Sequence, residues 1–276
     1  MPRLLHVSDV HFGPKHLAEP ANALRALAES EAADVVVVSG DLTQRAKPAQ
    51  FRSARQYLES FAAPVVFVPG NHDVPLYRVW ERALAPFGAW RTHFHAELVR
   101  DFVSPELAVL GVNTAHAWTT KHGRLRRADL LDLERRLAAV PAGAHRVVVA
   151  HHPVAAAPEL GGEPVSRRGG ALLELAGRHG VRVVLCGHLH HSFAAPGAGG
   201  TGPVVLHCGT TTSSRGRGSE RGLNSLHWIE IDGEGTTVER RRFDPGSGRF
   251  VPAERLRFGR DGGSSERTAA PPGTPG

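Results

Sequence analysis

The sequence feature that most constrains the fold of this chain is a series of short apolar runs rich in valine. They occupy residues 4–7, 35–38, 65–68, 107–112, 146–150, 181–185 and 204–207. Continuous apolar runs of this length are typical of strands that are buried on both faces of a sheet. Stretches with helical periodicity lie between them, over residues 21–31, 48–61, 74–84, 127–139 and 170–178. This alternation predicts an α/β protein in which part of the sheet is parallel.

The pattern changes near the end of the chain. From residue 222 onward apolar and polar residues alternate, which predicts a hairpin over residues 226–231 and 236–243. Residues from about 259 onward are rich in Gly, Ser, Pro and Thr and lack apolar periodicity. A segment of this kind cannot bury enough apolar surface to offset the entropy lost on ordering. We therefore predict one folded domain over residues 1–258 and a disordered tail over residues 259–276.

Five of the predicted strands end in a polar motif. The motifs are Ser8-Asp9-Val10-His11, Ser39-Gly40-Asp41, Gly70-Asn71-His72-Asp73, His151-His152-Pro153 and Gly187-His188-Leu189-His190. The carboxyl ends of parallel strands lie along one edge of a sheet, which is where α/β proteins bind ligands. Motifs that are distant in the sequence are therefore expected to form one site.

The residue types in these motifs indicate metal binding. Asp9 and His11 are two residues apart, as are His188 and His190, so each pair can project to one side of an extended backbone. Carboxylate, imidazole and amide ligands suit Mn, Fe, Zn or Co better than Ca or Mg. Taken singly, a Gly-Asp or Asp-x-His motif is better explained as a turn or a surface feature, and residues 70–73 could form a turn. His188 and His190 with Cys186 could form one small zinc site. The occurrence of five such motifs in order favours one shared metal centre.

The ordered set of motifs resembles that of the calcineurin-like metallophosphoesterase superfamily, over residues 4–190. The sequence of residues 38–43, 68–73 and 209–215 resembles that of the branch that contains class III cyclic-nucleotide phosphodiesterases and glycerophosphodiesterases. The resemblance implies an α/β, four-layer fold in which two mixed β-sheets pack as a sandwich flanked by α-helices. The late hairpin is then expected in the second sheet, and residues 1–258 become the catalytic domain.

The resemblance also implies a centre of two divalent metal ions. One ion would be bound by Asp9, His11, Asp41 and His190, and the other by Asp41, Asn71, His151 and His188. Asp41 is then the ligand shared by both ions. His152 does not match the family's ligand position, which is the histidine two residues before the proline, so it is expected outside the ligand set. A hydroxide held between the ions is the expected nucleophile, because paired metals lower the pKa of a bound water.

The remaining site residues concern the substrate. The leaving oxygen needs a proton, and His72 is the candidate donor, with Asp73 placed to orient its ring. Substrate contacts are expected at Asn71, His72, His116 and Arg215. Aromatic side chains in residues 77–95 could stack on a base or fill the core, and the core role is favoured for the tryptophans.

The function implied by the resemblance is a metal-dependent phosphoric diester hydrolase that acts on small phosphodiesters. 3′,5′-Cyclic nucleotides are the best single expectation for the substrate. A nuclease or a glycerophosphodiesterase of the same superfamily remains an alternative, as does a catalytically silent metal-binding regulatory protein. Because every expected ligand and His72 are present, the silent alternative is not favoured.

The composition bears on the partners. The net charge of +6 could indicate a nucleic-acid partner, but the basic residues are nearly all arginines scattered beside acidic ones, so nucleic acid is left open and not favoured. No apolar run approaches the roughly 20 residues that span a bilayer, and no signal-peptide pattern begins the chain. We therefore expect a cytoplasmic protein with a small phosphodiester substrate and no membrane partner. A homodimer is left open.

Overall fold

Two β-sheets pack face to face in this protein, and helices cover the outer face of each sheet. The computed structural model describes residues 1–156, 164–195, 201–263 and 265–269. The strands are β1 (Arg3–Val7), β2 (Val35–Val38), β3 (Val65–Phe67), β4 (Phe102–Val103), β5 (Leu107–Gly111), β6 (His145–Val149), β7 (Val181–Cys186), β8 (Phe193–Ala195), β9 (Val204–His207), β10 (Ser225–Ile231), β11 (Gly235–Asp244), β12 (Arg249–Gly259) and β13 (Ser265–Ala269). The α-helices are α1 (Ala18–Ser30), α2 (Pro48–Leu58), α3 (Val79–Leu84), α4 (Gly88–His93), α5 (Arg127–Ala138) and α6 (Gly169–Arg178). Among the described residues, no helix combines the length and the apolar character needed to cross a membrane.

Both sheets are mixed. The strand order is β13-β12-β11-β10-β1-β2-β3 in the first sheet and β4-β5-β6-β7-β9-β8 in the second. Strands β1, β2 and β3 run parallel, as do β5, β6, β7 and β9. The predicted four-layer sandwich is thereby confirmed. The expectation that the late hairpin belongs to the second sheet was wrong. The hairpin β10–β11 lies beside β1, in the sheet whose strands precede the first three motifs.

The burial of β2 explains why the strands read as continuous apolar runs. Val35 and Val37 lie in the core between the two sheets, which also contains side chains of β5, β6, β7 and β9. Val36 and Val38 lie on the opposite face, in a cluster with side chains of α1 and α2. Successive side chains of a strand alternate between faces, so a strand buried on both faces needs apolar residues throughout.

The helix predicted over residues 74–84 was wrong in its first half. Asn71–Asp73 form a short 3₁₀ helix, and Val74 follows it in an extended conformation, with φ −99° and ψ 131°. Pro75 is the physical reason, because the residue before a proline is sterically disfavoured in the helical region. The α-helix begins only at Val79.

Two C-terminal strands were not predicted from the sequence. β12 contains Pro252, which lacks a backbone N–H, and the register between β11 and β12 shifts at Arg240 and Arg241. Ser265–Ala269 form β13 by pairing with β12, although they lie in the segment predicted as a disordered tail. Pairing of this kind uses backbone groups and does not require an apolar pattern, which is why composition did not indicate it. Residues 270–276 lie outside the described residues, so the tail remains a prediction there.

We propose that residues 264–276, which include β13, are dispensable for catalysis, and their removal is the test. Activity is expected to stay near wild type, because β13 is separated from β1 by three strands. The melting temperature is expected to fall by a few degrees at most, since only one edge pairing is lost. Steady-state kinetics and thermal unfolding of the truncated chain give the two measurements. A large loss of turnover in a truncated chain that still folds would contradict the proposal.

Candidate metal centre

The motif residues meet where parallel strands of both sheets end. Asp9 follows β1 and Asp41 follows β2, and the Asp9 amide donates to the Gly40 carbonyl at 3.1 Å. His188 follows β7 in the other sheet, and its amide donates to Asp9 Oδ2 at 2.9 Å. The single sheet edge predicted from the sequence is therefore two adjoining edges, one from each sheet.

One group of ligand atoms surrounds Asp9 Oδ1. The imidazole nitrogen His190 Nε2 lies 3.0 Å from this oxygen, and His11 Nε2 lies 3.6 Å from it. His11 Nε2 is also 3.7 Å from Asp41 Oδ2. Ligand atoms of Asp9, His11, Asp41 and His190 all lie within 4.8 Å of one another, and all four side chains are buried. These are the four residues expected to bind the first ion.

A second group surrounds the Asn71 amide oxygen. His188 Nδ1 lies 3.0 Å from Asn71 Oδ1, and His151 Nε2 lies 3.2 Å from it. His151 Nε2 is also 3.4 Å from Asp41 Oδ1. Asp41 therefore presents one carboxylate oxygen to each group, which fits the expected role of a ligand shared by two ions.

Hydrogen bonds behind the imidazoles show that this centre fits cations. His11 Nδ1 lies 3.4 Å from the Thr43 carbonyl, His151 Nδ1 lies 2.8 Å from that of Ser39, and His190 Nδ1 lies 2.7 Å from that of Arg215. Each carbonyl can accept a hydrogen bond from the Nδ1–H of its ring, which leaves Nε2 as the ring nitrogen that faces the centre. His11 Nε2 and His190 Nε2 are nevertheless only 3.1 Å apart. Two ring nitrogens this close need a proton or a metal cation between or beside them, and a metal cation would take both as ligands.

The carboxylates of Asp9 and Asp41 also indicate a cation-binding centre. Asp9 Oδ1 and Asp41 Oδ2 are buried and accept no hydrogen bond from a described residue. Burial, together with the neighbouring Asp9 and Asp73 carboxylates, raises the pKa of Asp41 well above its usual range. Burial lowers the pKa of His11 and of His188 well below the usual value, so the rings are neutral ligands near pH 7. Metal cations would supply the charge that these buried oxygens lack.

The backbone at the centre is strained. Five of the proposed ligands have φ in the left-handed region, namely Asp9 (53°), His11 (47°), Asp41 (52°), His188 (70°) and His190 (53°). The expectation that the Asp-x-His and His-x-His pairs project from extended backbone was therefore wrong. Residues other than glycine adopt this region at a cost, and such conformations cluster at functional sites.

Glycines allow the motifs to approach one another. A Cβ atom on Gly70 would lie 2.1 Å from Asp41 Oδ1, and one on Gly40 would lie 2.4 Å from His151 Nδ1. A Cβ atom on Gly187 would lie 1.9 Å from Ser8 Oγ. None of these distances is tolerable, so any larger residue at these positions would displace a proposed ligand or its neighbour.

His72 lies beside the two groups and lines the cavity above them. Its backbone amide donates to Asp41 Oδ1 at 2.8 Å, and its Nδ1 lies 2.8 Å from the Gln44 carbonyl. Burial lowers the pKa of His72 to about 4. The ring is therefore oriented by Gln44, which leaves Nε2 as the ring nitrogen available to a substrate.

The role predicted for Asp73 was wrong. Its carboxylate accepts hydrogen bonds from the amides of Gly70 (2.9 Å), Leu42 (3.1 Å) and Thr43 (2.8 Å). Across the tight 3₁₀ turn this side chain bonds back to the Gly70 amide, whereas the His72 ring bonds to the Gln44 carbonyl. Asp73 thus joins the loop after β2 to the loop after β3, and so positions Asp41 and His72 through the backbone.

A cavity of about 320 Å³ opens above the centre. It is lined by Asp41, Gln44, Arg45, Asn71, His72, Val74, Leu76, Thr120, Lys121, His188, His190, Arg215 and Arg217. Asn71, His72 and Arg215 were predicted to contact substrate, whereas Arg45 was not singled out. Asn71 Nδ2 donates to the Thr120 carbonyl at 3.2 Å, which turns its oxygen toward the proposed metal ligands.

Two other histidines occupy different positions. His116 does not line the cavity, since its Nε2 lies 2.7 Å from the Arg124 carbonyl at the base of the same loop. Thr120 and Lys121 of that loop line the cavity, and a substrate contact at His116 stays a prediction. His152 is buried with its Nδ1 2.8 Å from Thr114 Oγ1, and one of its ring nitrogens lies within 4.8 Å of ligand atoms of His151 and His188, so it borders the second group without being one of the proposed ligands.

Comparisons with known proteins agree with this geometry. A sequence model described as calcineurin-like phosphoesterase matches residues 2–192. The 3′,5′-cyclic adenosine monophosphate phosphodiesterase CpdA of Escherichia coli K12 is 29% identical over 199 residues, which are 68% of this chain and 69% of that protein. The cAMP/cGMP dual specificity phosphodiesterase MT0825 of Mycobacterium tuberculosis is 29% identical over 249 residues, which are 81% of this chain and 75% of that protein.

A comparison with solved structures concerns the fold alone. The purple acid phosphatase PPD1 from yellow lupin (Lupinus luteus) seeds superposes with a TM-score of 0.69 at 14% identity. The superposition covers 91% of this chain and 52% of the lupin chain, so this chain spans about half the length of that protein. The layered arrangement of the two sheets is thus shared at low sequence identity.

Proposed function

The chain belongs to the calcineurin-like phosphoesterase family, and from this premise we propose that it is a metal-dependent phosphodiesterase for small diesters, with 3′,5′-cyclic nucleotides as its substrates. The observation that carries the proposal is the pair of ligand groups that share Asp41 beneath a cavity with arginines in its wall. The names of the two bacterial relatives support the choice of cyclic nucleotides.

The proposed ligands of the first ion are Asp9, His11, Asp41 and His190, and those of the second are Asp41, Asn71, His151 and His188. Imidazole, carboxylate and amide donors suit Mn, Fe, Zn or Co. Two bound dications would activate a water and offset the negative charge of the phosphoryl group. The protein contributes ligands whose tautomers and positions are already set by the backbone carbonyls behind them.

Arg215 is the proposed contact for the phosphate oxygens. Its side chain is half-buried in the cavity wall, and no described carboxylate lies within ion-pairing distance of it. Burial lowers the pKa of Arg215, although Asp41 and Asp9 lie near enough to oppose this effect. A guanidinium held this way has its donors available to an anion, and it can contact phosphate through two of them.

His72 is the proposed donor to the leaving oxygen. The hydrogen bond from Nδ1 to the Gln44 carbonyl fixes the ring, so that Nε2 is the atom that exchanges a proton with substrate. The adjacent Asn71 is a proposed ligand, which places the ring beside the phosphorus that the metal centre binds. An anionic substrate would favour the protonated ring, in opposition to burial and the nearby arginines.

A panel of substrates tests the proposed function. Protein loaded with Mn²⁺, Fe²⁺, Zn²⁺ or Co²⁺ is assayed on cyclic nucleotides, glycerophosphodiesters, phosphomonoesters and single-stranded DNA. Hydrolysis of cyclic nucleotides above all others is the expected result. Preference for glycerophosphodiesters or DNA would contradict the proposed substrate but agree with the proposed reaction, which is hydrolysis of a phosphodiester. Failure to hydrolyse any ester with any metal would support a metal-binding protein without catalysis.

Arg215→Gln is expected to lower kcat/KM for small diesters by roughly ten-fold or more, because a charge-assisted contact to phosphate is lost. Bound metal should stay at the wild-type level, since only the carbonyl of Arg215 supports a proposed ligand. Arg221→Gln is the matched control, because this arginine is exposed and outside the cavity wall. Equal kinetics for the two variants would remove Arg215 from the substrate contacts.

A further inference from the structure

Tyr77 is an exposed aromatic residue at the rim of the cavity. Its side chain is 74% exposed, so most of the ring surface is accessible to a ligand. The preceding residue, Leu76, lines the cavity wall. The guanidinium carbon of Arg45 lies 5.6 Å from the centre of the Tyr77 ring.

Arg45 also lies beside the proposed proton donor. Its Nη1 donates to the Gln44 carbonyl at 3.3 Å, the same carbonyl that accepts from His72 Nδ1, and lies 3.2 Å from that ring nitrogen. The same guanidinium packs against the Tyr77 ring. His72, Arg45 and Tyr77 are therefore successive neighbours in a row that begins beside the metal centre. No carboxylate among the described residues forms an ion pair with Arg45, whose charge therefore stays available to hold the ring and attract an anion.

The contact with Arg45 prepares the Tyr77 ring for stacking. A cation near an aromatic face is attracted by the ring quadrupole and restricts the orientations of the side chain. The fraction of the ring that is exposed shows that surface remains open to a ligand. A flat partner that binds a ring already oriented in this way loses less conformational entropy than one that must order it.

We propose that Tyr77, supported by Arg45, is the platform on which the nucleobase of the substrate stacks. This inference rests on the proposed phosphodiesterase function. In a 3′,5′-cyclic nucleotide one ribose carries both the scissile ester oxygens and the base. With the leaving oxygen at His72, the base lies on the far side of the sugar, and Tyr77 is the exposed ring that contacts Arg45, the neighbour of His72. A diester without an aromatic group would leave this platform unused.

A pair of substrates that differ only in the base tests the proposal. Adenosine 3′,5′-cyclic phosphate is compared with the cyclic ribose phosphate that lacks the base, and the ratio of their kcat/KM values is measured. Base stacking on an aromatic residue corresponds to roughly 5- to 150-fold, so Tyr77→Leu should lower this ratio about ten-fold. Tyr77→Phe keeps the ring and should retain the ratio within about two-fold.

Trp80→Leu is the matched control. Trp80 is 81% exposed in the same segment, but no ring or cation contact joins it to a wall residue in the described part of the chain. Its replacement should leave the ratio unchanged. An unchanged ratio in Tyr77→Leu would overturn the proposal, and so would an equal loss on both substrates, which would mean that the ring only holds Arg45 in place.

A binding measurement separates this inference from the proposed function. Adenosine 5′-monophosphate and ribose 5-phosphate are titrated calorimetrically into the metal-loaded wild type and into Tyr77→Leu. Selective loss of affinity for the nucleotide would support the platform even if no diester were hydrolysed. Equal affinities of the two proteins for the nucleotide would overturn it, even if turnover of cyclic nucleotides were confirmed.

Discussion

Asp41→Ala is expected to abolish turnover and to release more metal than any other single ligand substitution. Asp41 alone presents an oxygen to both groups, with Oδ2 3.7 Å from His11 Nε2 and Oδ1 3.4 Å from His151 Nε2. Loss of a residue that only hydrogen-bonds to a metal ligand typically costs about 10- to 100-fold in metal affinity or activity. Loss of a ligand shared by two ions should exceed this range.

Metal per chain, measured by elemental analysis after dialysis, and kcat/KM on an activated diester are the two readouts. Asn71→Ala is the comparison, because it removes a proposed ligand of one ion only and should release about one metal per chain. Asp41→Asn guards against misfolding, since an amide oxygen can still accept the hydrogen bond from the His72 amide. Two metals retained with near-normal turnover in Asp41→Ala would rule out the shared-ligand assignment.

The sequence indicated which residues lie together at the candidate centre, because they follow strands whose apolar runs are easy to see. Val35–Val38 leads directly into Asp41, and Val181–Cys186 leads into His188, so the position of each strand fixes the position of a ligand. The strands of the sandwich were visible for the same reason, since burial on both faces leaves a continuous apolar pattern.

Other features depend on contacts that no local pattern carries. The left-handed conformations of Asp9 and His11 result from the backbone hydrogen bonds that these residues make to the loop after β2. The His72 ring is oriented by a main-chain carbonyl, which any residue at position 44 could supply. The row from His72 through Arg45 to Tyr77 joins two loops, and neither loop alone indicates it.

The second large effect is expected for His72→Ala, on substrates with poor leaving groups. A cyclic nucleotide departs as an alkoxide that needs a proton, whereas a nitrophenyl diester departs as a stabilised phenolate that does not. General acid catalysis is typically worth about 10²–10⁴ in rate, so the loss on cyclic nucleotides should exceed the loss on nitrophenyl diesters by this factor. Both metals should remain, because the His72 side chain is not among the proposed ligands.

Asn71→Ala distinguishes a donor from a ligand at the neighbouring position. The Asn71 oxygen lies 3.0 Å from His188 Nδ1 and 3.2 Å from His151 Nε2, so its loss weakens an ion that both substrate types need. It should therefore slow both substrates alike and release metal. Equal losses on both substrates in His72→Ala, with metal unchanged, would show that the ring positions the phosphoryl group. The proposed metal centre would be unaffected by this result. The proton for the leaving oxygen would then have to come from water or from another residue of the cavity wall.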